Sequence, residues 1–164
     1  MPYIDPFQFG SVKESSTTHA FVHLVHQWLS TLETSNTLIR PGLIDFSKAF
    51  ERIDHNILLH KLPLLNVPPV LLNWFASFLQ HRQERVKLGA CKSKWRGIKA
   101  EVPQGTKLGP IFCLVMVNDL TAELPMYKYV DDCTVSEVVI TKEMVPTIIQ
   151  QEIDNINQWS TVNK

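Results

Sequence analysis

The sequence of 164 residues predicts a single domain of the α+β class. Residues 17–35 place apolar side chains at the three- and four-residue spacing of an amphipathic helix. Residues 128–135 read Lys-Tyr-Val-Asp-Asp-Cys-Thr-Val, and β-prone residues around two carboxylates predict a β-hairpin with the acids at its tip. Residues 85–98 alternate basic and apolar side chains around Gly89, which predicts a two-stranded ribbon. Helices combined with hairpins of this kind indicate an α+β fold.

Further elements follow in chain order from caps and breakers. Pro41-Gly42 is predicted to break the chain before a short buried strand, Leu43–Phe46. Asp54 suits the N-cap of a helix, and Pro68-Pro69 suits the start of the next one. Helices after the first are predicted at about 54–62, 68–79, 110–120 and 142–159.

The composition is that of a globular domain with an apolar core, since 45% of the residues are hydrophobic and the formal net charge is zero. No stretch approaches the ~18 apolar residues of a membrane span, and the N-terminus shows no signal-peptide pattern. The three cysteines are odd in number and lack a CxxC spacing, so we expect free thiols in a reducing compartment. An intracellular location, in the nucleus, the cytoplasm or both, is therefore expected.

Charge is unevenly distributed along the chain. Residues 81–107 contain eight basic and two acidic residues, whereas residues 119–164 contain eight acidic and three basic ones. A basic segment ahead of an acidic one fits a polyanion-binding surface beside a metal site. It fits equally well an exposed hairpin with a solvated polar face.

Three acids stand in places where an acid is costly. Asp131 and Asp132 are adjacent, and two unit charges about 4 Å apart repel by roughly 4 kcal/mol at an effective dielectric near 20. Asp45 closes an apolar strand, where a carboxylate needs a partner or a metal ion. A cation site explains all three acids, although a solvated Asp-Asp turn explains the adjacent pair as well.

Three short motifs follow one another in a fixed order. They read Asp45-Phe46-Ser47-Lys48-Ala49-Phe50, Pro103-Gln104-Gly105-Thr106 and Tyr129-Val130-Asp131-Asp132. Each is weak alone, but together they resemble motifs A, B and C of a reverse transcriptase palm. The resemblance is closest to the RNA-directed DNA polymerases of LINE-type (non-LTR) retrotransposons, and it runs nearly end to end. Supporting matches are Phe9-Gly10, Trp74–Leu79, Arg85–Gly89, Leu108–Pro110 and Asn118–Leu120.

The resemblance implies a polymerase palm, which is an antiparallel sheet of the split βαβ type with helices on one face, together with partial fingers. Residues of about 1–40 would form the partial fingers, and about 41–164 the palm with interleaved fingers elements. No thumb is recognised, and a fragment of a longer polymerase is expected. The implied reaction is templated addition of deoxynucleotides to a primer 3′ end. Its partners would be an RNA template, a DNA primer and deoxynucleoside triphosphates.

Individual roles carry over by position. Asp45, Asp131 and Asp132 would converge as catalytic residues and ligands of two Mg²⁺ ions, with Mn²⁺ as a substitute, in a two-metal phosphoryl transfer. Predicted nucleotide contacts are Phe46, Ser47, Lys48, Ala49, Phe50, Gln104 and Gly105. Predicted nucleic-acid contacts are Arg82, Arg85, Lys87, Lys94, Arg96 and Lys99.

Alternatives stay open for several of these positions. Phe50, matched to the aromatic steric gate of the family, also fits a plain core position, and Gln104-Gly105 also fits an ordinary turn. Glu101 departs from the family, which usually has glycine there, and Glu51 stands where an aspartate is usual. At the level of function, the rivals are a non-catalytic remnant with weak nucleic-acid binding and a metal-dependent phosphohydrolase.

Overall fold

The computed structural model describes residues 3–98, 100–103, 105–140 and 148–163. Within these ranges it contains helices and antiparallel strands, which confirms the α+β prediction. None of the described helices is long and apolar enough to span a membrane. The helices are α1 (Thr17–Leu32), α2 (His55–Lys61), α3 (Pro69–Leu79), α4 (Leu108–Val117) and α5 (Ile149–Val162), and a 3-10 turn, Leu62–Leu65, follows α2. The strands are β1 (Thr37–Asp45), β2 (Gln83–Glu84), β3 (Lys87–Leu88), β4 (Cys91–Lys92), β5 (Arg96–Gly97), β6 (Met126–Tyr129) and β7 (Asp132–Ile140).

A three-stranded antiparallel sheet in the order β1-β7-β6 forms one layer of the fold. The β1–β7 ladder runs from the pair Thr37 and Ile140 to the pair Asp45 and Asp132. Strands β6 and β7 form a tight hairpin on the other side. The sheet therefore carries the first and the third motif at one end of two neighbouring strands.

Strand β1 is longer than predicted because Pro41-Gly42 lies inside it. Since β1 is an edge strand, proline is tolerated there, its missing N–H facing away from the ladder. Gly42 permits a close approach: a Cβ at this position would meet Val135 Cγ2 at 3.0 Å and Ile149 Cδ1 at 3.2 Å. Helix α5 packs against the sheet at this point. The predicted fingers boundary near residue 40 falls inside this strand.

Helix α4 is the centre of the apolar core. Residues Phe112–Val117 are all buried, as expected for a helix that is covered on every side. The Phe112 ring meets that of Phe75 from α3 edge-to-face, with centroids 5.1 Å apart. A second cluster lies between the sheet and α5 and contains Leu120, Met126, Cys133, Val135, Ile149 and Ile156.

The basic ribbon consists of two short ladders instead of one continuous hairpin. Strand β2 pairs with β5, and β3 pairs with β4. Between the ladders, the Ser93 N–H donates to Val86 O at 2.9 Å, and the Ser93 hydroxyl accepts from the Val86 N–H at 2.9 Å. Because the Ser93 side chain takes the place of a backbone partner here, the strand pairing of the ribbon is not continuous as the sequence predicts.

Replacing Gly42 by alanine is expected to destabilise the fold by about 1–2 kcal/mol, because Val135 is fully buried and cannot move away from the added methyl group. Urea unfolding followed by circular dichroism measures the change. Gly97→Ala is the matched control, since a Cβ at that position meets no atom within 4 Å. Equal stability of the two variants would contradict the close packing of α5 on the sheet.

Candidate active site

The sheet places two of the predicted carboxylates directly opposite each other. Asp45 ends β1, Asp132 begins β7, and the two residues are antiparallel cross-strand partners. Such partners have Cα atoms about 4.5–5.5 Å apart and side chains on the same face of the sheet. Asp131 immediately precedes Asp132. The backbone thus brings together the three acids, although Asp45 lies far from the others in the sequence.

The hairpin turn differs from its prediction by one position. The turn residues are Val130 and Asp131, whereas Asp132 pairs with Tyr129 and starts β7. Val130 has a φ of 59°. A type II′ turn needs such a positive φ at its first central residue, where glycine is usual. The acids predicted to share the tip are therefore divided, with Asp131 in the turn and Asp132 in the ladder.

The pKa of Asp131 reflects its surroundings. Burial raises the pKa of this carboxyl group, the negative charges of Asp132 and Asp45 raise it further, and a hydrogen bond from its own backbone N–H acts in the opposite direction. A bound cation would offset the repulsion between these carboxylates and stabilise their ionised forms.

The donor set fits a hard cation. Within the described ranges, no group of three His, Cys, Asp or Glu side chains is arranged so that it could hold a metal ion by itself. Magnesium does not need such a cage, because it keeps several waters and usually binds one or two carboxylates together with substrate phosphates. Asp45 and Asp132 present oxygen donors on one face of the sheet, with Asp131 next to them. These residues suit Mg²⁺ when a phosphate-bearing substrate completes the shell.

Two buried thiols lie near the acids. Burial raises the pKa of Cys113 and of Cys133 to about 12 in each case, and the Asp131 charge adds to the effect. With pKa values this high, both thiols are protonated at neutral pH. Cys91 is exposed, and all three cysteines are free, which confirms the prediction of unpaired thiols.

The loop of the first motif folds into a turn. The Ala49 N–H donates to Phe46 O at 3.2 Å, so this amide is already used within the loop. The exposed Lys48 ammonium lies 3.1 Å from the Glu51 carboxylate. Next to this turn lies a cavity of about 180 Å³, and the residues that line it include Asp45, Phe46, Ser47, Ala49, Cys113 and Trp159.

Phe50 is half-buried and packs against the apolar cluster around α4. Its ring faces the start of that helix, since a Cβ on Gly109 would lie 3.8 Å from Phe50 Cε1. The Val102 N–H donates to Phe50 O at 2.9 Å and thereby joins the loops of the first and second motifs. Packing against this cluster explains why part of the Phe50 side chain is buried. The role of Phe50 as a steric gate stays a prediction.

The loop of the second motif contains two positive φ angles. Gly105 has a φ of 76°, and the space where a Cβ would point is open. Glu101, at the position where the family usually has glycine, has a φ of 96°. The Glu101 N–H donates to Ile53 O at 3.2 Å, and its carbonyl lies 2.9 Å from His55 Nε2. Gln104 lies outside the described residues.

The predicted nucleic-acid contacts lie on the two-ladder ribbon. Arg85 stacks on the Trp95 ring at 4.3 Å, and Arg82 lies over the Phe78 ring at 5.1 Å. Lys99 lies outside the described residues. The side chains of Arg85, Lys87, Lys94 and Arg96 are exposed.

Two residues that hold the hairpin were not predicted from the sequence. Gln8 hydrogen-bonds to the backbone of Val130, and Lys128 is buried with its ammonium 2.6 Å from the Asp5 carboxylate. Strand alternation offered no signal for Lys128, because Met126, Tyr127 and Lys128 are buried in succession. For Gln8, the only signal in the sequence was its position directly before the family match Phe9-Gly10.

Replacing Glu101 by glycine is expected to raise the free energy of unfolding by about 1 kcal/mol, because glycine adopts a φ of 96° without a Cβ clash. Urea unfolding gives the value. Glu101→Ala removes the same charge but keeps a Cβ, and it should bring no such gain. Equal gains in both variants would assign the effect to charge and contradict the role of the backbone.

Comparison with known proteins is consistent with this geometry. The family model for reverse transcriptase (RNA-dependent DNA polymerase) matches residues 2–163. The chain is 29% identical to the RNA-directed DNA polymerase from mobile element jockey of Drosophila melanogaster, over 96% of this chain and 18% of that protein. It is 27% identical to the protein of the same name from Drosophila funebris, again over 96% and 18%. The chain thus spans about a fifth of the length of these relatives.

A solved structure shares the fold. The chain superposes on apo telomerase from Candida tropicalis, truncated from the C-terminal domain, with a TM-score of 0.59 and 14% identity, over 87% of this chain and 31% of that one. This similarity supports the palm-like α+β fold. The jockey relatives belong to LINE-type elements, as the motifs predicted. Because the family model matches nearly every residue, the chain belongs to the reverse transcriptase (RNA-dependent DNA polymerase) family.

Proposed function

We propose that this chain supplies the palm of an RNA-directed DNA polymerase, which adds deoxynucleotides to a primer 3′ end on an RNA template. The observation that carries the proposal is the register of the sheet, in which Asp45 faces Asp132 and Asp131 occupies the adjoining turn. Family membership supports the reaction class.

Asp45, Asp131 and Asp132 are the proposed ligands of two Mg²⁺ ions, with Mn²⁺ as a substitute. When bound, the ions would stabilise the charge that develops in phosphoryl transfer. The chain's own contribution is to hold Asp45 and Asp132 at the ends of two paired strands, with Asp131 in the adjoining turn. Burial raises the pKa of Asp131, and the negative charges of Asp132 and Asp45 raise it further; a bound cation would offset the repulsion between these charges.

The loops of the first and second motifs are the proposed nucleotide site. Residues 46–50 follow Asp45 directly, and the hydrogen bond from Val102 to Phe50 holds the second loop beside the first. Gly105 leaves open space where a side chain would stand, which permits close approach by a ligand. Gln104 belongs to the same proposal by its motif alone.

The ribbon is the proposed contact to template or primer phosphates. Its exposed cations are Arg85, Lys87, Lys94 and Arg96; Lys87 lies on β3 and Arg96 on β5, whereas Arg85 and Lys94 lie next to the short strands. The binding of phosphates by exposed cations depends on the salt concentration, and it does not require an intact catalytic cleft.

The chemistry can be tested in a hybrid polymerase in which this chain replaces the matching segment of the Drosophila melanogaster jockey protein. Asp45→Asn or Asp131→Asn should lower Mg²⁺-dependent primer extension by roughly 1000-fold, since several kcal/mol of transition-state stabilisation depend on the ions. Asp154→Asn changes an exposed acid on α5 and is the matched control.

The outcomes separate the candidate functions. Extension that is indifferent to Asp45→Asn and Asp131→Asn would refute the two-metal assignment. An inactive hybrid whose chain still binds nucleic acid would favour the non-catalytic remnant. Mn²⁺ binding by the 164-residue chain, followed by electron paramagnetic resonance, should weaken in both aspartate variants and persist in Asp154→Asn.

The ribbon is tested separately by salt titration of single-stranded RNA binding to the 164-residue chain. Lys87→Ala combined with Lys94→Ala should reduce the slope of log K against log salt by about 1.4, that is ~0.7 for each lost phosphate contact. Lys13→Ala removes an exposed cation that pairs with Glu14 outside the ribbon and outside the proposed nucleotide site, and it should leave the slope unchanged. A loss in Lys13→Ala as large as the loss for each lysine removed from the ribbon would remove the ribbon from the binding surface.

A further inference from the structure

The turn that carries Asp131 is held in a conformation that its sequence disfavours. Val130 has a φ of 59° and is β-branched. A residue of this kind in the left-handed region costs on the order of 1–3 kcal/mol unless its surroundings impose the conformation. Something outside the hairpin must therefore hold the turn.

Gln8 supplies the contacts that do so. Its side chain is buried, with 3% of its surface exposed. The Oε1 atom accepts hydrogen bonds from the Val130 N–H at 2.9 Å and from the Gly10 N–H at 2.8 Å. The Nε2 group reaches the Val130 carbonyl at 3.5 Å. One amide thus engages both backbone groups of the strained residue.

Gly10 adds a steric restraint on the same residue. A Cβ at Gly10 would lie 2.5 Å from both Val130 Cγ2 and Val130 N. The segment that carries Gln8 and Gly10 is itself anchored, because the Phe9 N–H donates to Lys128 O at 2.8 Å and the Lys128 N–H donates to Phe7 O at 2.9 Å. Val130 is therefore enclosed by a segment that cannot easily withdraw.

We propose that Gln8 is a positioning residue for the carboxylate site. By fixing Val130 in the left-handed conformation, it sets the direction in which Asp131 leaves the turn and the point at which Asp132 enters the ladder opposite Asp45. The effect of Gln8 on metal binding rests on the proposed function. The effect of Gln8 on the conformation of the turn does not depend on that function.

The hold on the turn is measured by the effect of Val130→Gly in three backgrounds of the 164-residue chain. Glycine adopts a positive φ without help, so it should be better tolerated once the Gln8 amide is lost. In the Gln8→Met background, which keeps side-chain length and removes the hydrogen bonds, Val130→Gly should change the melting temperature more favourably than in the wild type, by roughly 2–6 °C. In the Ile156→Val background, a mild lesion in the other apolar cluster, its effect should equal that in the wild type.

A spectroscopic readout accompanies the melting curves. The intraresidue HN–Hα nuclear Overhauser effect of Val130 is strong when φ is positive, and it should weaken in Gln8→Met and persist in Ile156→Val. Equal effects of Val130→Gly in all three backgrounds, or an unchanged Overhauser effect in Gln8→Met, would overturn the proposal.

The consequence for the site is read from Mn²⁺ affinity. Gln8→Met should weaken Mn²⁺ binding by roughly 10-fold, as is typical when a residue that orients a ligand is lost. Adding Val130→Gly should recover most of that loss, which a general loss of stability would not do. An unchanged Mn²⁺ affinity in Gln8→Met would overturn the positioning role. If the wild-type chain binds no Mn²⁺ at all, the proposed function fails, and the melting comparison still decides whether Gln8 holds the turn.

Discussion

The buried ammonium of Lys128 is the constraint on which the arrangement around the hairpin depends. Its Nζ lies 2.6 Å from Asp5 Oδ2 and donates to the carbonyls of Leu120 at 2.7 Å and Val117 at 3.2 Å. A charge without water must be paired and hydrogen-bonded, and removing one partner leaves it uncompensated. The N-terminal segment, the end of α4 and β6 are therefore bound to one group and to each other.

The buried ion pair between Lys128 and Asp5 also restrains the carboxylate site. The backbone of Lys128 pairs with the segment that carries Gln8, and the turn at Val130 begins two residues later. On the other side, the ladder fixes Asp132 against Asp45. The acids are thus placed by paired strands and a buried ion pair, which suits groups that must meet a substrate in one geometry.

Local chemistry made much of this fold predictable, and long-range contacts account for what was missed. The Asp54 cap and the Pro68-Pro69 start gave α2 and α3 nearly to the residue. The break at Pro41-Gly42 was wrong, because the edge position of β1 and the approach of α5 override the local preference for a turn. The partners of Lys128 could not be found either, since Asp5 lies more than a hundred residues away in the sequence.

Backbone strain links the three motifs. Lys48 in the first loop, Glu101 before the second and Val130 in the third all have positive φ without being glycine. Conformations of this kind persist only where the surroundings impose them, and they concentrate at functional sites. Each has a visible restraint: the Lys48 carbonyl accepts from the amides of the following turn, His55 and the Ile53 carbonyl hold Glu101, and Gln8 holds Val130. The strain in each motif loop is thus offset by its own contacts, while the hydrogen bond from the Val102 N–H to Phe50 O couples the first loop to the second.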